Sequence, residues 1–287
     1  MSHYARRFAR LAALAGVAAL GCGKDRGATK LTLRYHPPAG ASYHYALEQH
    51  NTMKLEGGPM GRLGEQQFTT RMYFTQSVGQ PAQGGVPVTV RFDSTSIEST
   101  MLAAGALTPV LRGMRGLKGK VVYDDRMNVL HAEFTPVPGL PPQIMDQLTN
   151  HVRGMTFPLP DQPVGVGDSW TTETALPVGE IAGGSAKART TVTVKELHAA
   201  GPDTSVVLGI ETRFPEDPIT VTGDAGARQT LKLSGSLAGE QLFSVTRGAA
   251  VRSSMGGNMR VNVSGGPHGA MEMSLQHVAS LQLNEAK

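Results

Sequence analysis

The sequence predicts an α+β fold that is mostly β: a curved antiparallel sheet built from two related halves, with two short amphipathic helices between them. The main observation is that apolar residues recur with a period of two along many segments, as in strands with one buried face. Glycine and proline are abundant, with 35 and 18 residues, and they cluster between these segments as turns. Two segments near the middle of the chain have helical spacing instead.

The predicted strands follow one another along most of the chain. In residues 86–92 every second residue is apolar, which is typical of a half-buried strand. The same alternation occurs at residues 43–47, 68–74, 206–214 and 271–275. Two further short runs, 121–123 and 129–131, flank a polar loop, so that they predict a β-hairpin.

Two predicted helices interrupt this pattern. The first begins with Thr108-Pro109, an N-cap followed by a proline at the first helical position. The second begins at Pro141-Pro142 and carries one apolar stripe as far as Val152. An apolar groove between these helices and the sheet would be lined by Val110, Leu111, Met114, Ile144, Met145 and Leu148. Ordinary filling of the core by the same side chains is the alternative interpretation.

A faint internal repeat relates the two halves of the sheet. Gly40-Ala-Ser-Tyr43 opens one long strand, and Gly167-Asp-Ser-Trp170 opens another. We therefore expect a single β-rich domain at 31–284, with halves at about 31–134 and 160–284 and a helical link at about 108–154. Two repeats are too few for a propeller or a solenoid, since these need at least three.

The N-terminus predicts export from the cytoplasm. Three arginines precede an uncharged run, Leu11 to Gly21, and the only cysteine, Cys22, follows it directly. The run is too short to span a membrane, because a transmembrane helix needs about 20 apolar residues. An ordinary secretory signal, cut near Val17-Ala18-Ala19, is the alternative.

The four residues Ala19-Leu20-Gly21-Cys22 resemble the lipobox of bacterial lipoproteins. This resemblance implies lipidation of the Cys22 thiol, cleavage between Gly21 and Cys22, and acylation of the freed amine. Residues 1–21 are then the signal peptide, and 22–30 form a polar tether. No aspartate follows Cys22 directly, and in Gram-negative lipoproteins this favours the outer membrane, with the protein facing the periplasm.

The charge balance excludes a nucleic-acid partner. The chain has 27 basic and 23 acidic residues, a net charge of +4. The predicted signal peptide removes three of those 27 basic residues and no acidic one, which leaves +1. A near-neutral domain without a basic cluster lacks the electrostatic footprint of nucleic-acid binding. With one cysteine in the chain, no internal disulfide can form.

A longer run, Leu159-Pro-Asp-Gln-Pro-Val-Gly-Val-Gly-Asp-Ser-Trp170, resembles a signature of an uncharacterised family of bacterial exported lipoproteins. In that family a Gly-x-Ser-Tyr strand, a Leu-x-Gly-Lys strand and an Asp-x-x-x-Asn-Val hairpin precede it. Here these motifs match residues 40–43, 117–120 and 124–129, with Met127 in place of the usual hairpin glycine. More distantly, the topology is similar to the half-barrel of periplasmic lipoprotein carriers, in which a curved sheet wraps a helix and leaves an apolar cavity.

The sequence lacks the common catalytic and metal-binding motifs. It contains no Gly-x-Ser-x-Gly, His-x-His or His-Glu-x-x-His. The adjacent carboxylates Asp124-Asp125 and Glu216-Asp217 are typical of polar turns. We therefore expect a non-enzymatic envelope lipoprotein without metal or cofactor, which binds a lipid or another apolar ligand between sheet and helices. The alternatives are a structural or protein-interaction module of the envelope and, third, an enzyme.

Overall fold

The computed structural model describes residues 30–58, 61–62, 64–82, 84–100, 113–137, 145, 149, 152, 157–176, 186–200, 203–215, 217–222, 228–265 and 269–284. Twelve strands account for most of them. Their bounds are β1 Ser42–Gly57, β2 Glu65–Val78, β3 Val86–Ser99, β4 Lys118–Tyr123, β5 Val129–Phe134, β6 Ser169–Leu176, β7 Ala186–Ala200, β8 Asp203–Arg213, β9 Ile219–Thr222, β10 Arg228–Ser244, β11 Ala249–Ser264 and β12 Met271–Asn284. The prediction of a mostly β protein is confirmed.

All twelve strands belong to one antiparallel sheet. Its order is β5-β4-β3-β2-β1-β12-β11-β10-β8-β7-β6, and β9 pairs with β10 beside this path. Within each half, strands that follow one another in the chain are neighbours in the sheet, except that β8 and β9 both pair with β10. The halves meet at the centre, where β1 pairs with β12 from His44–Asn284 to Gly57–Met271. The first and last strands therefore join the sheet, and β5 and β6 form its edges.

Hydrogen bonds of a short connecting segment show that the sheet is curved. The Leu159 amide donates to the Arg126 carbonyl in the β4–β5 turn, and the Gly167 amide donates to the Val194 carbonyl on β7. Eight residues reach at most about 28 Å. In a flat sheet these two sites would lie eight strand spacings apart, about 38 Å. The two edges must therefore approach each other.

Two segments bridge the edges at this end of the sheet. Leu31 pairs with Val164 through both backbone groups, at 2.8 and 2.9 Å. The Tyr35 amide donates to the Asp125 carbonyl in the β4–β5 turn at 2.7 Å. Leu33 and Leu159, one from each segment, are 0% and 2% exposed and pack in the main core. The bridging segments, 30–37 and 157–167, thus seal one end of the curved sheet with apolar side chains.

The two faces of the sheet differ in polarity. On β1, Tyr45 and Leu47 are buried on the inner face, whereas His44 and Glu48 lie on the outer face. Arg71 on the neighbouring strand contacts Glu48 through its Nε atom at 2.8 Å. Because neighbouring residues of a strand point to opposite faces, the period of two in the sequence produces one apolar and one polar surface.

The structure does not show the two predicted helices. Among the described residues of these segments, helical conformation occurs at 113–114 and at the single residues 145, 149 and 152. Apart from these three single residues, 108–112 and 138–154 of the predicted link lie outside the described residues. Within the described part of the chain there is almost no helix, so the α+β prediction reduces to its β component.

The β4–β5 turn carries an unusual backbone conformation. Met127 has φ +63°, the left-handed region that favours glycine, and it is the only non-glycine residue in that region among those described. Asp124 holds the turn, since its Oδ1 accepts hydrogen bonds from the amides of Arg126 and Asn128 at 2.9 and 2.8 Å. Met127 therefore adopts the conformation that a glycine would take at this position.

Candidate functional site

The candidate site is a cavity of about 220 Å³ on the inner face of the sheet. Both halves of the sheet contribute to its wall, from Val90 on β3 to Val192 on β7. An engineered apolar cavity of about 150 Å³ is large enough to hold benzene. The cavity could therefore hold a somewhat larger ring or a short hydrocarbon chain.

Aromatic side chains dominate the wall. Four are tyrosines: Tyr35, Tyr43, Tyr45 and Tyr123. The others are Phe74, Phe92, Phe157 and Trp170. Several of these rings are in mutual contact, since Phe74 lies 5.3 Å from Tyr45 and 6.2 Å from Phe92 between ring centroids. Such contacts fix the rings in place, so that the wall is largely formed before any ligand enters.

Three polar groups of the aromatic wall are satisfied by the protein itself. The Tyr43 hydroxyl donates to the Arg247 carbonyl at 2.8 Å, and the Tyr45 hydroxyl donates to the Ala250 carbonyl at 3.1 Å. Trp170 Nε1 donates to the Pro158 carbonyl at 2.8 Å. These residues consequently present carbon surface to the cavity, and their polar atoms hold the strands and the 157–167 segment together.

Two further residues shape the cavity by their backbone. Gly248, in the turn between β10 and β11, has φ +57°, and a Cβ atom there would lie 2.7 Å from the Pro37 nitrogen. Only glycine allows this turn to approach the 30–37 segment so closely. Met127, in its left-handed conformation, also lines the cavity. A strained residue at a cavity wall is a common feature of binding sites.

Charged side chains are missing from the described wall of the cavity. Apart from the tyrosine hydroxyls and the Trp170 indole, its polar side chains are the amides of Gln76 on β2 and Gln241 on β10. An ionised group in such surroundings would lose its hydration without gaining a counter-charge. The cavity is therefore suited to uncharged molecules.

Burial keeps the tyrosines of the cavity protonated. It raises the pKa of Tyr123 to about 12 and raises the pKa values of Tyr35 and Tyr45 still further. For Tyr35, the neighbouring Tyr123 and Tyr45 phenols raise the pKa in the same direction. At neutral pH these groups are thus hydrogen-bond donors without charge.

These pKa shifts predict a loss of stability in alkali. The unfolded chain releases phenolic protons near pH 10, whereas the folded chain retains them, so stability is complete below pH 10 and falls above it. Three buried tyrosines should lower the free energy of unfolding by about 4 kcal/mol per pH unit between pH 10 and 12. Tyr123→Phe should reduce this slope by about a third, roughly 1 kcal/mol per pH unit. Denaturant unfolding at several pH values measures both slopes; equal slopes would contradict the assignment of a raised pKa to Tyr123.

The residues predicted to line a groove are only partly described. Met114 is buried in the main core, and Met145 packs against that core. Neither is part of the described cavity wall. Val110, Leu111, Ile144 and Leu148 lie outside the described residues, as do Gly21 and Cys22. From the predicted helical link, the cavity wall includes Val152 instead.

No motif in the sequence marks the tyrosines as site residues. Four of the six tyrosines in the chain line the cavity. In the sequence, Tyr43 and Tyr45 stand out only as members of an alternating strand. A usable signal was present, because Tyr43 and Tyr45 alternate on one face at the start of β1, and Tyr123 ends the apolar stretch of β4. Residues 159–170, the run that resembles a signature of exported lipoproteins, contribute Leu159 and Trp170 to the wall.

Two other findings concern the described part of the chain. It holds no group of three or more histidine, cysteine, aspartate or glutamate side chains close enough to bind one metal ion. None of its helical segments has the length and apolar character needed to cross a membrane.

Comparisons with known proteins do not assign a family. No family model matches the chain, and no curated protein matches it. Membership of the uncharacterised family of exported lipoproteins therefore stays a prediction.

Two solved structures are weakly similar to the chain. One is described as lipid-protein interactions in lipovitellin, with a TM-score of 0.49 and 14% identity over 88% of this chain. The chain spans about a quarter of the length of that protein, since it covers 25% of it. The other is DynF from the dynemicin biosynthesis pathway of Micromonospora chersina, with a TM-score of 0.22 and 9% identity, over 88% of this chain and 85% of that one. Both similarities are too weak to support an argument about function. Such an argument has to start from the cavity.

Proposed function

We propose that the protein is a non-enzymatic, lipid-anchored lipoprotein of the bacterial cell envelope, which binds an uncharged apolar ligand in the cavity of its curved sheet. One observation carries the proposal: residues from both halves of the sheet form a cavity with aromatic walls and no charged side chain among its described lining. Apolar cavities with few polar groups are typical of small-molecule sites.

The size of the cavity sets the expected affinity. Removing apolar surface from water contributes about 25 cal/mol per Å². A ligand that buries about 400 Å² gains roughly 10 kcal/mol, which is reduced by the loss of translational and rotational freedom. We therefore expect dissociation constants in the micromolar range or weaker, rather than nanomolar.

The position of residues 30 and 31 is compatible with the proposed anchor at Cys22. Lys30 contacts Asp168 at 3.1 Å, and Leu31 pairs with Val164 in the segment that seals one end of the sheet. The eight residues from Gly23 to Lys30 would reach at most about 28 Å. In this proposal the sealed end faces the membrane. The membrane is the outer membrane, and the protein lies on its periplasmic side.

A titration with a neutral apolar dye tests ligand binding. N-phenyl-1-naphthylamine becomes fluorescent in apolar surroundings, and Trp170, the single tryptophan of the chain, lies in the cavity wall as an energy donor. For the purified full chain we expect saturable dye emission on excitation of Trp170. Emission that rises linearly with dye concentration, without saturation, would contradict a ligand-binding function.

The anchor predicts a specific effect of Cys22→Ala. In cells supplied with an alkyne-bearing fatty acid, the wild-type protein should carry the label and fractionate with membranes. Cys22→Ala should lose the label entirely, because the thiol and the freed amine of Cys22 are the proposed acylation sites. It should also leave the membrane fraction. Label and membrane fractionation that are unchanged in Cys22→Ala would count against the anchor.

A further inference from the structure

The hydroxyls of Tyr35 and Tyr123 differ from those of the other tyrosines in the cavity wall. Tyr43 and Tyr45 donate to backbone carbonyls. The hydroxyls of Tyr35 and Tyr123 form no hydrogen bond with any described residue. Yet the two residues are only 5% and 7% exposed. Their rings meet edge to face, with centroids 5.2 Å apart and an interplanar angle of 63°.

The two side chains that carry these hydroxyls line the cavity. Among the described residues, the one unpaired side-chain atom that is completely covered by protein is Thr95 Oγ1. The phenol oxygens of Tyr35 and Tyr123 are therefore not completely covered. Both residues line the cavity and are otherwise buried, so a ligand that pairs with these oxygens would reach them from the cavity.

An unpaired donor in an apolar cavity favours a ligand that brings an acceptor. A buried polar group without a partner is costly, and the cost is removed when a ligand oxygen accepts its hydrogen. The phenols are neutral because burial raises their pKa values, so that they act as donors without charge. No cation lines the described wall to balance a carboxylate or a phosphate. The matching acceptor is consequently an uncharged oxygen, and a carbonyl oxygen is the strongest uncharged acceptor common in apolar molecules.

We propose that the ligand is an uncharged apolar molecule with an ester or ketone carbonyl, and that the hydroxyls of Tyr35 and Tyr123 donate hydrogen bonds to that oxygen. This inference rests on the proposed function, since it names the ligand class for the same cavity. Aromatic and aliphatic side chains bind the hydrocarbon part, and the tyrosine pair sets its orientation.

Matched probes separate hydrogen bonding from hydrophobic binding. Methyl octanoate carries the carbonyl, nonane lacks an acceptor, and octanoate carries a charge. Each would be titrated against the purified full chain as a competitor of N-phenyl-1-naphthylamine. The informative quantity is the change in each dissociation constant between the wild type and the double variant Tyr35→Phe/Tyr123→Phe, because this cancels the different solubilities of the probes in water.

For the double variant we expect methyl octanoate to bind about tenfold more weakly, while nonane binds as in the wild type or more tightly. Octanoate should compete most weakly with both proteins. Tyr73→Phe is the control, since Tyr73 is 46% exposed and lies outside the described cavity wall. It should leave the relative affinity for ester and alkane unchanged.

Each remaining outcome decides against one of the two proposals. If the double variant changes the dissociation constants of methyl octanoate and nonane by the same factor, the hydrogen-bonding role is overturned. The hydroxyls would then bind water only, and the proposal of an apolar ligand in the cavity would be unaffected. Failure of all probes to compete, with saturable dye binding absent as well, would overturn the proposed function itself. If the double variant does not fold, Tyr123→Phe alone is used, with an expected loss for the ester of about threefold and the same readout.

Discussion

Val90→Phe is expected to weaken the binding of neutral apolar molecules at least tenfold, whereas Val278→Phe leaves it unchanged. Val90 is 7% exposed and lines the cavity, so an added ring occupies part of its volume of about 220 Å³. Val278 is 48% exposed on the outer face of β12, where the same ring points into solvent. The two variants add the same atoms to opposite faces of one sheet.

Dye titration through Trp170 emission and thermal unfolding together check this prediction. Overpacking costs about 1–3 kcal/mol in a filled core, but less where a ring enters existing space. We therefore expect Val90→Phe to fold, with a modest shift in Tm. Wild-type affinity in a folded Val90→Phe protein would show that the dye binds elsewhere.

Phe243→Ala should lower the free energy of unfolding by about 3–5 kcal/mol, the usual range for a fully buried phenylalanine. Phe243 lies on β10 next to a β-bulge and is 0% exposed. It belongs to the main core together with Val206 of the neighbouring β8 and with Leu33 of the segment that seals the sheet. A flat open sheet would leave one side of this ring in water, so its complete burial depends on curvature.

Denaturant unfolding measures the loss, with Tyr73→Ala as the control. Tyr73 is 46% exposed, and truncation of an exposed side chain usually changes stability by less than 1 kcal/mol. A loss below about 1 kcal/mol for Phe243→Ala would mean that this end of the sheet is not packed as described.

The strands could be predicted because their signal is local. The alternation in residues 86–92 appears as buried and exposed positions along β3, which spans Val86–Ser99. The predicted hairpin around Asp124 appears as β4 and β5, with that carboxylate bonded to the turn amides. In both cases neighbouring residues determine the outcome, because side-chain direction in a strand depends on position alone.

The cavity could not be predicted because it depends on distant pairings. The Tyr43 hydroxyl and the Arg247 carbonyl are 204 residues apart in the chain. Their meeting requires β1 to pair with β12, and many other pairings of amphipathic antiparallel strands would satisfy the same local pattern. Helical spacing predicts structure less reliably than strand alternation here, since a short apolar stretch does not distinguish a helix from other buried structure. Gly113 and Gly116 also disfavour a helix in the first of these segments, since glycine is a poor helix former.

Native mass spectrometry of the full chain, extracted under mild conditions, tests the central claim most directly. The account predicts that wild type and Val278→Phe carry an additional non-covalent mass of an uncharged molecule, which is lost on collisional activation. Val90→Phe should carry little or none. A wild-type protein that shows only its own covalent mass, and that takes up neither methyl octanoate nor nonane, would contradict the account.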